Sequence, residues 1–196
     1  MTMQEVGVAN QLTLLRLALS PVFIAVFIIG GWGCYLAALL VAGLIELTDL
    51  LDGYIARSRK QTSDFGKLAD PMADTVSRFS IFLCFLWGGF AELWVVALIF
   101  YRELIVAYIR VAAARAGTVL AARLSGKIKA MTQGIVILAI LMLIVLTPSN
   151  DPFALDTTKI TARRLMILIA IVEVWSGFDY VRMSLPMLRS LLRRKP

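Results

Sequence analysis

Four aspartates, Asp49, Asp52, Asp70 and Asp74, stand together in the stretch DLLDGYIARSRKQTSDFGKLADPMAD, residues 49–74. Asp49 and Asp52 are three residues apart and Asp70 and Asp74 four apart, so on helices each pair shares a face and can converge on one point. Carboxylates crowded into a partly dehydrated site repel one another, and several would take up protons unless a cation neutralised them. A divalent metal is the economical answer. All-oxygen ligation favours Mg²⁺, Mn²⁺ or Ca²⁺ over zinc, and the chain contains no histidine, the commonest zinc and iron ligand. Gly53 and Ala56 fall on the same helical stripe as Asp49 and Asp52, which clears side chains from the surface beside the metal and lets a nucleotide or diphosphate approach. Arg57 and Lys67 add positive charge at the rim, and Ser63 a hydroxyl. Metal between carboxylates and phosphate oxygens, with cationic side chains in front, is the arrangement that phosphoryl transfer requires.

The elements that must position these groups are membrane helices. The chain of 196 residues is 60% hydrophobic and 17% charged, with a mean hydropathy of +0.83, well outside the range of ordinary soluble domains. Apolar runs at 12–29, 32–47, 76–90, 93–100, 134–146 and 165–175 reach or approach the roughly 20 residues that cross a bilayer as a helix. The polar/apolar alternation of barrel strands is absent, so the expected fold is an all-α integral membrane protein of six spans behind a short polar N-terminal segment. The first run lacks a small-residue cleavage site and reads as a retained helix, with Pro21 bending it rather than ending it. No linker, repeat or low-complexity tract divides residues 1–196, which read as one domain. Cys34 and Cys84 match no metal or redox spacing and read as packing residues.

Lys and Arg number 20 against 13 Asp and Glu, and they cluster at Arg57/Arg59/Lys60/Lys67, at Arg110/Arg115/Arg123/Lys127/Lys129 and at Arg189/Arg193/Arg194/Lys195. By the positive-inside rule these segments and both termini are cytoplasmic, which puts the aspartates at the cytoplasmic boundary. Only Lys159 lies in the opposite loops, while Arg163 and Arg164, just beyond the last of them, break the pattern. The basic excess therefore reflects topology and an anionic lipid surface. No nucleic-acid partner is expected.

The aspartate stretch satisfies every fixed position of D-x2-D-G-x2-A-R-x8-G-x3-D-x3-D, through Asp49, Asp52, Gly53, Ala56, Arg57, Gly66, Asp70 and Asp74. It resembles the signature of the CDP-alcohol phosphatidyltransferase family. The resemblance implies six transmembrane helices in the CDP-alcohol phosphotransferase fold, a homodimer, and Mg²⁺ or Mn²⁺ held by the aspartates. It also implies displacement of CMP from a CDP-linked lipid or CDP-alcohol by a second alcohol, in the cytoplasmic membrane of a bacterium. On that likeness Asp49, Asp52 and Asp70 are metal ligands, and Asp74 is both ligand and catalytic base. Asp49, Gly53, Ala56, Arg57, Ser63 and Gly66 contact the CDP moiety. A carboxylate beside a divalent cation is a weak base, so the ligand role of Asp74 is the firmer of the two.

A second stretch, 101–134, resembles the phosphatidylglycerophosphate synthase branch of that family, with the pattern R-E-x6-R followed by G-K-x-K-T. Arg102, Glu103, Arg110, Gly126, Lys127 and Lys129 match, and Ala130 stands where that branch usually has Thr, with Thr132 two residues on. The N-terminal NQLTLLR is similar to its N-x-L-T-x-x-R opening. The likeness implies transfer of the phosphatidyl group from CDP-diacylglycerol to glycerol 3-phosphate, giving phosphatidylglycerophosphate and CMP. Arg110, Lys127 and Lys129, if they converge, form a pocket for the acceptor's phosphate. Arg102 lies deep in its span and needs a partner, Glu103 or an active-site aspartate. Inositol phosphate, serine or another alcohol remain alternative acceptors. Two readings stand further off, an intramembrane prenyltransferase, which releases no CMP, and a cation transporter, whose carboxylates belong at the bilayer midplane.

Overall fold

The computed structural model describes residues 8–59, 64–115, 124–148 and 150–193, without the side chains of 8–10, 52–59, 64–70, 188 and 190–193. These residues form α1 (Val8–Ile29), α2 (Trp32–Arg59), α3 (Asp64–Trp87), α4 (Leu93–Arg115), α5 (Leu124–Leu146) and α6 (Pro152–Arg193). No strand occurs among the described residues. α1 packs on α2 and α3, α5 joins α2 to α6, and α4 lies against α6 and α3.

Among the described residues three helices are long and apolar enough to cross a membrane by length and composition: residues 11–29 of α1, 32–51 of α2 and 124–146 of α5. Six spans are expected from the sequence; the described residues form six helices, of which these three qualify by length and composition, while α3, α4 and α6 dilute their apolar runs with charge. The reason is visible in the packing. Arg78 on α3, Glu103 on α4 and Glu173 on α6 lie inside the bundle, paired with Glu46 on α2, Lys129 on α5 and Arg102 on α4 respectively.

The apolar side chains point both ways. Phe23, Phe27, Phe82, Phe85, Ile99, Ile137, Ile140, Leu141 and Met166 fill the core. Leu40, Leu50, Ile135, Leu146, Ile171 and Phe178 face outward. A helix apolar on both faces suits a bundle bathed in lipid, where close packing rather than exclusion of water holds helices together. Exposed Trp32, Trp87 and Trp94 stand at the helix ends opposite the aspartates, where amphipathic rings prefer the membrane interface. At that end Gly30 and Gly31 turn the chain from α1 to α2 with φ of 74° and 86°, a region open chiefly to glycine.

The helices add several details to the sequence reading. α2 runs to Arg59, so Arg57 is helical, and α3 begins at Asp64, two residues before Gly66. α1 continues past Pro21 as expected. α6 spans 42 residues against an apolar run of 165–175, because helical hydrogen bonding continues where the side chains become polar. Arg163, which broke the charge pattern, is tied to the α3–α4 turn: its Nε donates to the Gly89 carbonyl at 3.0 Å and its Nη1 lies 3.1 Å from Glu92.

Candidate active site

The aspartates lie on facing helix ends, Asp49 and Asp52 on α2, Asp70 and Asp74 on α3. The side chains of Asp52, Gly53, Ala56, Arg57, Gly66 and Asp70 lie outside the described residues, as do those of Lys67 and, with its backbone, Ser63. What is described is the pair Asp49 and Asp74, and the two share one cation. Arg78, one turn beyond Asp74, places Nε 2.9 Å from Asp74 Oδ1 and donates from Nη2 to Asp49 Oδ2 at 3.2 Å. The other oxygen of Asp49 accepts from Arg16 Nη1 at 2.7 Å. Arg16 belongs to the N-terminal NQLTLLR pattern and is fully buried, so α1 is pinned to the aspartate cluster.

Behind the aspartates a buried polar network crosses the bundle. Arg78 Nη2 also donates to Glu46 at 3.2 Å, and its Nη1 donates to the Ala130 carbonyl at 3.0 Å and to Gln133 Oε1 at 2.9 Å. The Gln133 amide donates in turn to Glu173 Oε1 at 2.5 Å. Glu173 Oε2 faces Arg102 Nε at 3.1 Å as an ion pair without the alignment of a hydrogen bond. Arg102 further donates to Ser176 Oγ at 2.8 Å, and Lys129 donates to Glu103. The partner of Arg102 is thus Glu173 from α6 as well as neighbouring Glu103.

Two glycines make room for these charges. A Cβ at Gly134 on α5 would stand 2.6 Å from Glu46 Oε2, and one at Gly177 on α6 would stand 2.9 Å from Arg102 Cγ. Glu46 cannot retreat freely, because Arg78 holds the same oxygen. Gly134→Ala should therefore destabilise the protein by about 1–3 kcal/mol, the usual cost of overpacking. Gly43→Ala, whose Cβ meets nothing within 4 Å, should be neutral or stabilising. Thermal unfolding of both variants in detergent checks the contrast; equal midpoints would remove the packing argument.

Asp74, Arg78, Glu103, Lys129 and Gln133 line a small open cleft walled on its apolar side by Phe79, Phe82, Ile99 and Phe100. Of the three cations proposed for an acceptor phosphate, Lys129 lies in this cleft. Arg110 is exposed, its guanidinium 5.7 Å from the ring centre of Tyr180. Lys127 is exposed two residues before Lys129, hence about 200° round the helix from it. The cleft therefore pairs a motif aspartate with a single buried lysine, one that an anion could draw from Glu103.

Whether the donor set suits a divalent cation can be judged on charge. Among the described residues of the network, four cations, Arg16, Arg78, Arg102 and Lys129, face five carboxylates, Glu46, Asp49, Asp74, Glu103 and Glu173. Glu46 Oε1 is buried with no hydrogen-bond partner among the described residues. Among these described residues the carboxylates outnumber the cations by one and the acidic ligand atoms are all oxygen, which fits a hard cation. Among the described residues no three acidic, histidine or cysteine side chains gather into a complete metal cage.

Sequence comparison points the same way as the motif. The chain is 36% identical over 183 residues to a probable phosphatidylglycerophosphate synthase of Mycobacterium tuberculosis, covering 91% of this chain and 82% of that protein. It is 31% identical over 183 residues to the CDP-diacylglycerol–glycerol-3-phosphate 3-phosphatidyltransferase of Bacillus subtilis, covering 87% and 91% of the two chains. The enzyme of the same name from Treponema pallidum is 28% identical over 196 residues, covering 93% and 91%. The family model for CDP-alcohol phosphatidyltransferases matches residues 6–176, a range that takes in all of α1 and extends past the buried Glu173 of α6, and the chain belongs to that family.

Proposed function

We propose that this protein transfers the phosphatidyl group of CDP-diacylglycerol to glycerol 3-phosphate, giving phosphatidylglycerophosphate and CMP. The observation that carries the reading is the cleft in which Asp74, from the family motif, faces Lys129, from the stretch that resembles the glycerol-3-phosphate branch. Relatives of that name share most of their length with this chain.

Asp49, Asp52, Asp70 and Asp74 would hold Mg²⁺ or Mn²⁺, which when bound neutralises the diphosphate oxygens and the departing CMP. Gly53, Ala56, Arg57, Ser63 and Gly66 would receive the CDP moiety. Asp74 accepts the proton of the attacking sn-1 hydroxyl, a new bond forms from that oxygen to the phosphorus bearing diacylglycerol, and the bond from that phosphorus to CMP breaks. Lys129 holds the acceptor's phosphate, exchanging Glu103 for a dianion. Arg110 and Lys127 lie outside the cleft and would add only to the general positive charge on the cytoplasmic side. The reading places a homodimer in the bacterial cytoplasmic membrane with the cleft facing the cytoplasm, supported by the bias of Lys and Arg toward the aspartate end.

Purified protein given Mg²⁺, CDP-diacylglycerol and labelled glycerol 3-phosphate should yield labelled phosphatidylglycerophosphate and one CMP per product. Turnover with inositol phosphate or serine in its place would move the protein within its family. Lys129→Ala should raise the KM for glycerol 3-phosphate by about ten- to a hundred-fold, the worth of one charge-assisted hydrogen bond, with the KM for CDP-diacylglycerol little changed. Equal effects on both substrates would remove Lys129 from the acceptor's side of the cleft.

A further inference from the structure

We propose that Arg78 is a positioning residue for the metal-binding carboxylates, its guanidinium tying Asp49 on α2 to Asp74 on α3 and so setting their separation. The inference rests on the metal reading above. A guanidinium carries five N–H donors in a rigid planar fork, and at Arg78 each faces an acceptor: Ala130 O, Gln133 Oε1, Glu46 Oε2, Asp49 Oδ2 and Asp74 Oδ1. The two contacts from α5 aim the fork, and the three carboxylates then follow its plane. Arg78 is 5% exposed at its side chain while Asp49 and Asp74 are 31% and 30% exposed. The anchor is buried, and the two carboxylates it anchors are partly exposed, Asp74 at the cleft. That asymmetry separates a support from a group that meets substrate.

Removing Arg78 has two opposed effects. Loss of a neighbouring positive charge would by itself tighten cation binding. Release of two carboxylates from a common plane would weaken it, and Mg²⁺, which demands near-ideal octahedral geometry, would suffer more than Ca²⁺, which tolerates irregular sites. The five-fold engagement of the fork implies that the second effect dominates.

The test measures metal binding without substrate, by the electron paramagnetic resonance signal of free Mn²⁺ over detergent-purified full-length protein, with Mg²⁺ and Ca²⁺ as competitors. Arg78→Gln should weaken Mg²⁺ binding by about ten-fold or more, in the range seen for groups that orient metal ligands, and Ca²⁺ binding by less. Arg78→Lys should weaken it too, since a point charge cannot span the same acceptors. Gln133→Leu, which leaves Arg78 in place but removes one of the contacts that aim it, should give a smaller shift in the same direction. Unchanged or tighter Mg²⁺ binding in Arg78→Gln, or full recovery in Arg78→Lys, overturns the proposal. Should Arg78→Gln fail to fold, unchanged binding in both Arg78→Lys and Gln133→Leu overturns it equally. Asp74→Asn separates the two levels of inference. If it loses Mn²⁺ while the Arg78 variants keep it, the positioning role fails alone; if it keeps Mn²⁺ in full, the metal reading fails and the positioning role with it.

Discussion

Asp74→Asn should lower the rate of phosphatidyl transfer by at least about a thousand-fold, within the range for removing a general base that also stabilises charge. Asparagine preserves the size of the side chain and can still accept from Arg78 Nε, which lies 2.9 Å from Asp74 Oδ1. The helix ends should therefore stay in place while the site loses one negative charge and one proton acceptor. Those two losses separate under titration with metal. If Asp74 acts only as a ligand, saturating Mg²⁺ or Mn²⁺ restores much of the rate, because the deficit is one of occupancy. If it also takes the proton of the attacking hydroxyl, the rate stays low at saturation and the KM for glycerol 3-phosphate changes little. CMP release, followed against metal concentration, gives both readings from one preparation. A variant retaining more than a tenth of wild-type activity would remove Asp74 from either role.

The aspartates were legible because chemistry confined them to a short stretch at helical spacing. Their supports were not, although each left a mark. Arg16, Glu46, Arg78 and Glu173 are lone charges inside the apolar runs 12–29, 32–47, 76–90 and 165–175. A charge in such a run needs an interior partner, and that rule, applied to Arg102, leads to the network from one end. Spacing along the chain cannot supply the pairing. Arg16 meets Asp49 across 33 residues and Arg78 meets Gln133 across 55, contacts fixed only when α1, α2, α3 and α5 are packed. Helix lengths escaped for a related reason: an apolar run records what lipid will tolerate, whereas α6 keeps its backbone hydrogen bonds through Pro152–Arg193 whatever faces outward. Lys127 and Lys129 show the limit of a motif. They are neighbours in G-K-x-K, yet helical rotation buries one in the cleft and exposes the other.

The second large effect is on stability, at Glu173. This carboxylate is fully buried on α6, and it receives the Gln133 amide at 2.5 Å, Arg102 at 3.1 Å and Lys129 at 3.9 Å. Glu173→Ala strands those donors in the interior, and removing one member of a buried charge pair costs about 3–5 kcal/mol. Arg102 keeps Ser176 and Glu103, and Lys129 keeps Glu103, so the loss should fall at the lower end of that range. The same physics predicts that the damage comes from the orphaned cation more than from the missing bond. Glu173→Leu combined with Arg102→Met, apolar side chains of similar bulk, should therefore recover at least half of the stability lost in Glu173→Leu alone, a large departure from additivity for residues in contact. Thermal unfolding of the two single variants and the double variant in one detergent measures the coupling directly. If the double variant costs the sum of the singles, the charges are not compensating each other, and the polar network behind the aspartates would have to be held by its hydrogen bonds alone.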